Sequence, residues 1–217
     1  MTADLNKYGQ SIGRKGAKTR RQLLDTARDL LKDGPTRKLT ASAISRAAGL
    51  ATQSFYAYFA SVDELLAALA REASVEQALV LAALEGDWQP QDLAAHSQRF
   101  IRAFLDFWDR NREILMLLSY RADSGEEPFA SIRDDAVTPL LNRIAERMRA
   151  AEGETRLSAE DAMARSIVLY AAIERLAAAR IKGGAMGPAT DTSRTVLKAE
   201  VDILARFFTP ADYRPRG

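Results

Sequence analysis

The sequence contains no cysteine and a single histidine, His96. Without thiols there are no disulfides, no thiolate metal ligands and no cysteine nucleophile, which suits a reducing compartment. One histidine cannot supply the clusters that most metal or triad sites need. No glycine-rich phosphate loop ending in Gly-Lys-Ser or Gly-Lys-Thr occurs, and no Gly-x-Ser-x-Gly elbow. No stretch of about twenty apolar residues runs without charge and no apolar run resembles a signal peptide, so a cytoplasmic chain with no membrane span is expected. Alternating strand patterns and internal repeats are also missing. The acidic pairs Glu126-Glu127 and Asp134-Asp135 read as solvated charges, which leaves a helical carboxylate enzyme only as a remote alternative. No cofactor is implied.

What is present is an ordinary globular composition of 217 residues, 47% hydrophobic and 28% charged. That is enough for one large domain or two small ones with a real core. The net charge of +2 hides a division. Up to Ala60 there are 11 Lys/Arg against 4 Asp/Glu, and from Ser61 onward 20 against 25. A basic N-terminal module facing a polyanion, attached to a mildly acidic body, fits that asymmetry.

Within the basic part, Leu39 to Phe59 reads as two short helices around a glycine turn. Thr40 is placed to cap the first helix. Ala43, Ile44, Ala47 and Ala48 form a small apolar stripe, Gly49 frees the turn, and Leu50 plugs the corner. The second helix buries Phe55 and Phe59 and leaves Thr52, Gln53 and Ser54 outward. This is a helix-turn-helix, whose second helix enters a major groove. Gln53 is the best placed for a base, since its amide pairs bidentately with adenine. Thr52 and Ser54 suit bases or phosphates. Ser42 and Arg46 face the same side, as does Thr40 to the extent that its hydroxyl is not used as a cap.

The residues Thr40, Ile44, Ala47-Ala48-Gly49-Leu50, Phe55-Tyr56-x-Tyr58-Phe59 and Ser61-x-x-Glu64-Leu65-Leu66 resemble the N-terminal signature of the TetR family of bacterial transcriptional repressors. The likeness covers about Lys18 to Ala70. It implies that the Tyr56 and Tyr58 hydroxyls contact phosphates and that the C-terminal body encloses an effector pocket. The chain departs from the usual pattern at Ala51 and Thr52, where many members have a serine cap and a lysine. It departs again at Ala57 in place of a histidine, and at Val62 in place of a lysine. Each lost cation removes a possible phosphate contact.

Around this motif the chain reads as all-α, with about nine helices. Residues 1–17, which carry Lys7, Arg14 and Lys15 among Gly9, Gly13 and Gly16, are expected as a flexible basic arm, either a solvated tail or one that orders on DNA. Lys18 and Arg20 open the first helix, which is expected to end at Gly34-Pro35. Residues 18–60 form a three-helix DNA-binding bundle with a core of Leu23, Ala27, Leu30, Leu39, Ile44, Ala47, Leu50, Phe55 and Phe59. Residues 61–217 form a helical effector-binding and dimerisation domain, opened by a capping box at Ser61 and Glu64. Expected next are a long helix to about Leu84, helices over Gln91–Arg110 and Ile114–Tyr120, and a helix that Pro139 bends or marks with an irregular turn. After these come an alanine-dense helix packed on more than one side, a loop around Gly183–Pro188 and a last helix. Phe100, Phe104, Phe107, Trp108, Met116, Tyr120 and Tyr170 are the material for an apolar or aromatic ligand site.

The expected function is a DNA-binding regulator, most simply a repressor that reads a palindromic operator as a homodimer through its last two helices and is released by a small effector. The alternative is a DNA-binding protein of the same fold controlled by a protein partner.

Overall fold

α1 (Arg14–Leu31) buries Leu23, Leu24, Ala27 and Leu31 along one face. It opens four residues earlier than the expected arm allows, because one glycine at position 16 costs only about 1 kcal/mol in a run of good helix formers. Arg14 and Lys15 therefore sit on its first turn. The fold is taken from a computed structural model that describes residues 13–32, 39–86, 88–152, 156–180 and 190–209. The arm up to residue 12, the Gly34-Pro35 stop and the Gly183–Pro188 loop lie outside the described residues.

The elements that follow are α2 (Ala41–Ala47), α3 (Thr52–Tyr56), α4 (Val62–Glu76), α5 (Ala78–Ala82) and α6 (Leu93–Asp123). Then come α7 (Phe129–Glu152), α8 (Ala159–Ala179) and α9 (Asp191–Phe207), with a short 3-10 turn at Pro90–Asp92. Among the described residues there is no strand, so the all-α reading holds. None of these helices is long and apolar enough to cross a membrane.

Several boundaries differ from the sequence pattern for local reasons. The single helix expected to reach Leu84 divides at Gln77, which is buried. The interruption expected at Asn111 is there: α6 consists of two helical segments that meet at a kink where Asn111 takes the non-helical φ −117° and ψ 15°. Its amide donates to the Phe107 carbonyl (3.2 Å) and to Glu76 (3.0 Å), so the kink is held by side-chain bonds. α7 runs through Pro139, which lies on an exposed side, where the hydrogen bond it cannot make is left to water.

The chain forms two compact units. One comprises the described residues up to Ser74 with Glu113–Arg133, the other Val75–Arg112 with the described residues from Asp134 on. In the first unit the core is Leu23, Leu24, Ala27, Leu31, Ile44, Phe55, Phe59, Leu65 and Leu69. Leu30 and Leu50 are only half-buried and Ala47 is exposed, contrary to expectation. The buried stripe of α1 is rotated toward Leu24 and Leu31, and α2 turns Ala48 inward in place of Ala47.

In the second unit Trp88 is held on three sides. His96 stacks on it with ring centres 5.0 Å apart, Phe208 meets it edge-on at 5.0 Å, and the Arg147 guanidinium lies 4.7 Å above it. Arg147 also donates to the carbonyls of Leu84 and Gly86, both at 2.5 Å. α8 buries one stripe, Ala162, Ser166, Leu169, Ile173 and Ala177. Among the described residues the expected burial on a second side is not found: Ala164, Ile167, Val168 and Ala171 are exposed, Val168 at 70%.

Candidate nucleic-acid interface

The reading head is positioned by its turn. The Thr40 hydroxyl accepts from the Ala43 amide at 3.1 Å, so its cap role is filled, and α2 ends at Ala48. Gly49 takes φ +67°, a left-handed conformation that costs a side-chain-bearing residue about 1 kcal/mol or more. Gln22 of α1 donates to the Ala48 carbonyl at 2.7 Å, and the Leu50 amide donates to the Ser45 carbonyl at 2.8 Å. The corner is thus hydrogen-bonded from both sides.

α3 is only five residues long and has no side-chain cap, because Ala51 stands where a hydroxyl is common. A helix this short has no stability of its own. It is held by Phe55, fully buried, whose ring lies 5.7 Å from that of Phe59 and 5.4 Å from that of Tyr56. With Phe55 inward, Thr52 and Gln53 are exposed, Ser54 is half-buried, and Tyr56 is exposed. Tyr58 is half-buried, while Thr40, Ser42 and Arg46 on the preceding helix are exposed. All the motif residues expected to touch DNA are therefore at or near the surface of one short module.

The cations are placed unequally. Arg14, Lys15 and Lys18 are exposed on α1. Arg20 lies over the Phe59 ring at 5.2 Å, so its guanidinium also takes part in packing the head. Arg21 is engaged by Glu72 of α4 through two bonds of 2.9 Å, which hold its pKa above the ordinary value. Arg28 adds a 3.5 Å contact to the same carboxylate. These pairs fasten α1 to α4.

α4 begins with the expected capping box. Ser61 accepts from the Glu64 amide (3.1 Å), and Glu64 reaches back to accept from the Ala60 amide (2.5 Å). Its neighbour Asp63 pairs with Arg121 at 3.1 Å, which also pairs with Glu126 at 2.6 Å and lies 4.6 Å over the Phe129 ring. Nothing in the residue pattern marks Arg121 for this role. It ties the first turn of α4, immediately after the reading helix, to the 113–133 stretch of the same unit.

The aromatic residues expected to line a ligand site fall in both units. Phe100, Phe104 and Trp108 are buried in the second unit, with Tyr170 edge-on to Phe104 at 5.8 Å. Met116 and Tyr120 lie beyond the Asn111 kink, in the first unit, and are exposed, Tyr120 at 69%. Among the described residues no group of three or more His, Asp or Glu side chains is arranged to hold a metal ion.

Comparison with known proteins agrees with this geometry. Residues 23–69 match the family model described as bacterial regulatory proteins, tetR family. Residues 81–186 match that of a tetracyclin repressor-like C-terminal domain. Among solved structures, a TetR-like transcriptional regulator from Rhodococcus sp. RHA1 is similar at 23% identity and a TM-score of 0.64, over 91% of this chain and 96% of that one. PfmR, a TetR family regulator from Thermus thermophilus, is similar at 17% identity and 0.61, over 88% and 99%. FadR from Bacillus halodurans, a fatty acid degradation regulator, is similar at 12% identity and 0.59, over 94% and 100%. At these identities the likeness is one of fold. No curated protein matches the sequence.

Proposed function

Since the chain belongs to the TetR family of bacterial regulatory proteins, and is a DNA-binding transcription regulator and not an enzyme, we propose that it is a dimeric repressor of a palindromic operator. It acts in the cytoplasm and is released by a small, largely apolar or aromatic effector. The observation that carries the reading is the row Thr52, Gln53 and Tyr56, exposed on a helix that Phe55 and Phe59 hold in place. In this reading Gln53 reads a base edge, Thr52 and Ser54 touch bases or phosphates, and Tyr56, Tyr58, Ser42, Arg46 and Thr40 fix the register. Arg14, Lys15, Lys18 and Arg20 supply electrostatic grip on the backbone.

The test is anisotropy with duplexes enriched by the protein from a random library. Gln53→Ala is expected to lose roughly 1–3 kcal/mol of affinity and to relax the sequence preference at one base pair per half-site. The pair Arg14→Ala with Lys15→Ala removes four cations from the dimer and is expected to weaken all duplexes alike and to make the log–log salt slope shallower by about four. Unchanged preference in the first variant and an unchanged slope in the second would remove these residues from the interface.

For the dimer, support comes from the exposed apolar faces of α8 and α9: Ile167, Val168 and Ile203. Two helices from each copy would close as a four-helix bundle and set the spacing of the two heads. Val168→Asp combined with Ile203→Asp should convert the protein to a folded monomer in sedimentation equilibrium. A dimer of wild-type strength would place the interface elsewhere. An effector in the body acts by favouring one spacing of the heads, which requires that it bind one spacing more tightly. The buried group Phe100, Phe104 and Trp108 with Tyr170 supports an apolar effector.

A further inference from the structure

Glu200 stands on the inward face of α9 and is only 8% exposed, buried together with Val201 and Leu204. The other charged residues of that helix, Asp191, Arg194, Lys198, Asp202 and Arg206, are all exposed. The Glu200 Oε1 is buried with no hydrogen-bond partner. An ionised oxygen in that position has lost its water and gained nothing in return.

Little space is left to hydrate it. Leu105 of α6, Leu176 of α8, Arg180 just past the end of α8, and Val196 and Leu197 of α9 enclose with Glu200 a gap of about 10 Å3, room for about one water. Among the charged groups packed around the carboxyl, Arg180 favours its ionised form. That guanidinium is itself 3.7 Å from Asp109 of α6, which also accepts a 2.7 Å bond from Arg112. Its pull is therefore shared, and its Nε is buried with no acceptor. Burial outweighs it and holds the carboxyl up at about 7.

The seam between α9 and its neighbours thus has two states. With its proton, Glu200 is neutral and α9 packs closed over it. Without the proton, the carboxylate needs more than one water can give, and it is relieved when the middle of α9 loosens from α6 and α8 to admit solvent.

We propose that Glu200 makes the seating of α9 a pH-sensitive latch, closed in mild acid and loosened above neutral pH, and that dimerisation is strongest when the latch is closed. The second half rests on the reading that α8 and α9 form the dimer face; the first half does not. A partner bearing on Ile203 of α9 and on Ile167 and Val168 of α8, all exposed in the single chain, presses the two helices together. It therefore favours the closed, protonated state. A carboxyl that holds its proton more tightly in the dimer than in the loosened monomer adds to dimer affinity at low pH. That contribution is lost as the pH climbs through about 7.

The experiment follows the full chain, free of DNA, by methyl NMR and sedimentation equilibrium between about pH 5.5 and 8.5. The methyl signals of Leu105, Leu176, Val196 and Leu197 are expected to move together along one titration in the neutral range, and to stay fixed in Glu200→Gln. Arg180→Met removes the pull of the guanidinium, so its titration should move to higher pH. A residue that only packs the helix end would leave the midpoint where it is. The wild-type dimer dissociation constant should rise about tenfold or more across the range, while that of Glu200→Gln stays level. Fixed methyl signals in the wild type, or the same titration in Glu200→Gln, would overturn the latch. A dimer constant that ignores pH while the methyl signals titrate would overturn its coupling to dimerisation. Val168→Asp with Ile203→Asp separates the two readings: if that variant stays a dimer of wild-type strength, the dimer face lies elsewhere and the coupling falls with it, while the methyl titration still decides the latch.

Discussion

Phe55→Ala is expected to abolish operator binding without touching a single DNA-facing group. The ring is fully buried and is the only inward residue of a five-residue helix. Truncating a buried phenylalanine costs about 3–5 kcal/mol, of which part is the cavity left behind. Whole domains have only about 5–15 kcal/mol to lose, and α3 has no helical stability to fall back on. The expected outcome is local melting of α2, the turn and α3. It should be visible as fast amide exchange in Ala41–Tyr56, with operator affinity down by two orders of magnitude or more at about 3 kcal/mol. Tyr56→Phe provides the contrast. Its ring packing on Phe55 is kept and only a hydroxyl is removed, so stability should hold while affinity falls by about 1 kcal/mol. If Phe55→Ala retained both protection and affinity, the head would have to be held by something other than its aromatic pair.

This contrast also explains what can be read in the sequence. The reading head is built from local signals: a threonine cap, a glycine in a left-handed turn, aromatics at fixed spacing, a Ser-x-x-Glu box. Each acts within a few residues, so each appears in the sequence as it does in space. The all-helical body is legible for the same reason. The misplacements come from effects that act over distance. α6 turns at Asn111, whose amide bonds Glu76, 35 residues away in sequence. The second apolar face of α8 is legible as apolar, but one sequence cannot say whether such a face meets its own chain. Glu200 is easily passed over because a glutamate on an apolar helix is usually at its margin. The spacing does contain the signal: Val196, Glu200 and Leu204 follow at four-residue intervals, which puts the carboxyl in the middle of the stripe.

Glu200 should also make the protein less stable as the pH rises from 5 to 8. Burial pushes its carboxyl up from 4.5 to about 7, against the opposing pull of Arg180. The charged groups around it are that guanidinium and, at the next remove, Asp109 and Arg112. A carboxyl that holds its proton more tightly when folded favours the folded state most below the unfolded pKa of 4.5. That advantage is lost as the pH climbs through about 7, where the folded protein must ionise a buried group. At full strength such a shift corresponds to about 3 kcal/mol, which the incomplete burial of the carboxyl reduces to the order of 1–2 kcal/mol. Urea unfolding at pH 5, 6, 7 and 8 measures it, with Glu200→Gln as reference. The variant keeps the shape and cannot ionise, so the difference in stability between the two proteins should grow with pH, in favour of the variant, chiefly between about pH 5 and 7, and level off by pH 8. Parallel curves would mean that Glu200 already has a partner for its charge in solution.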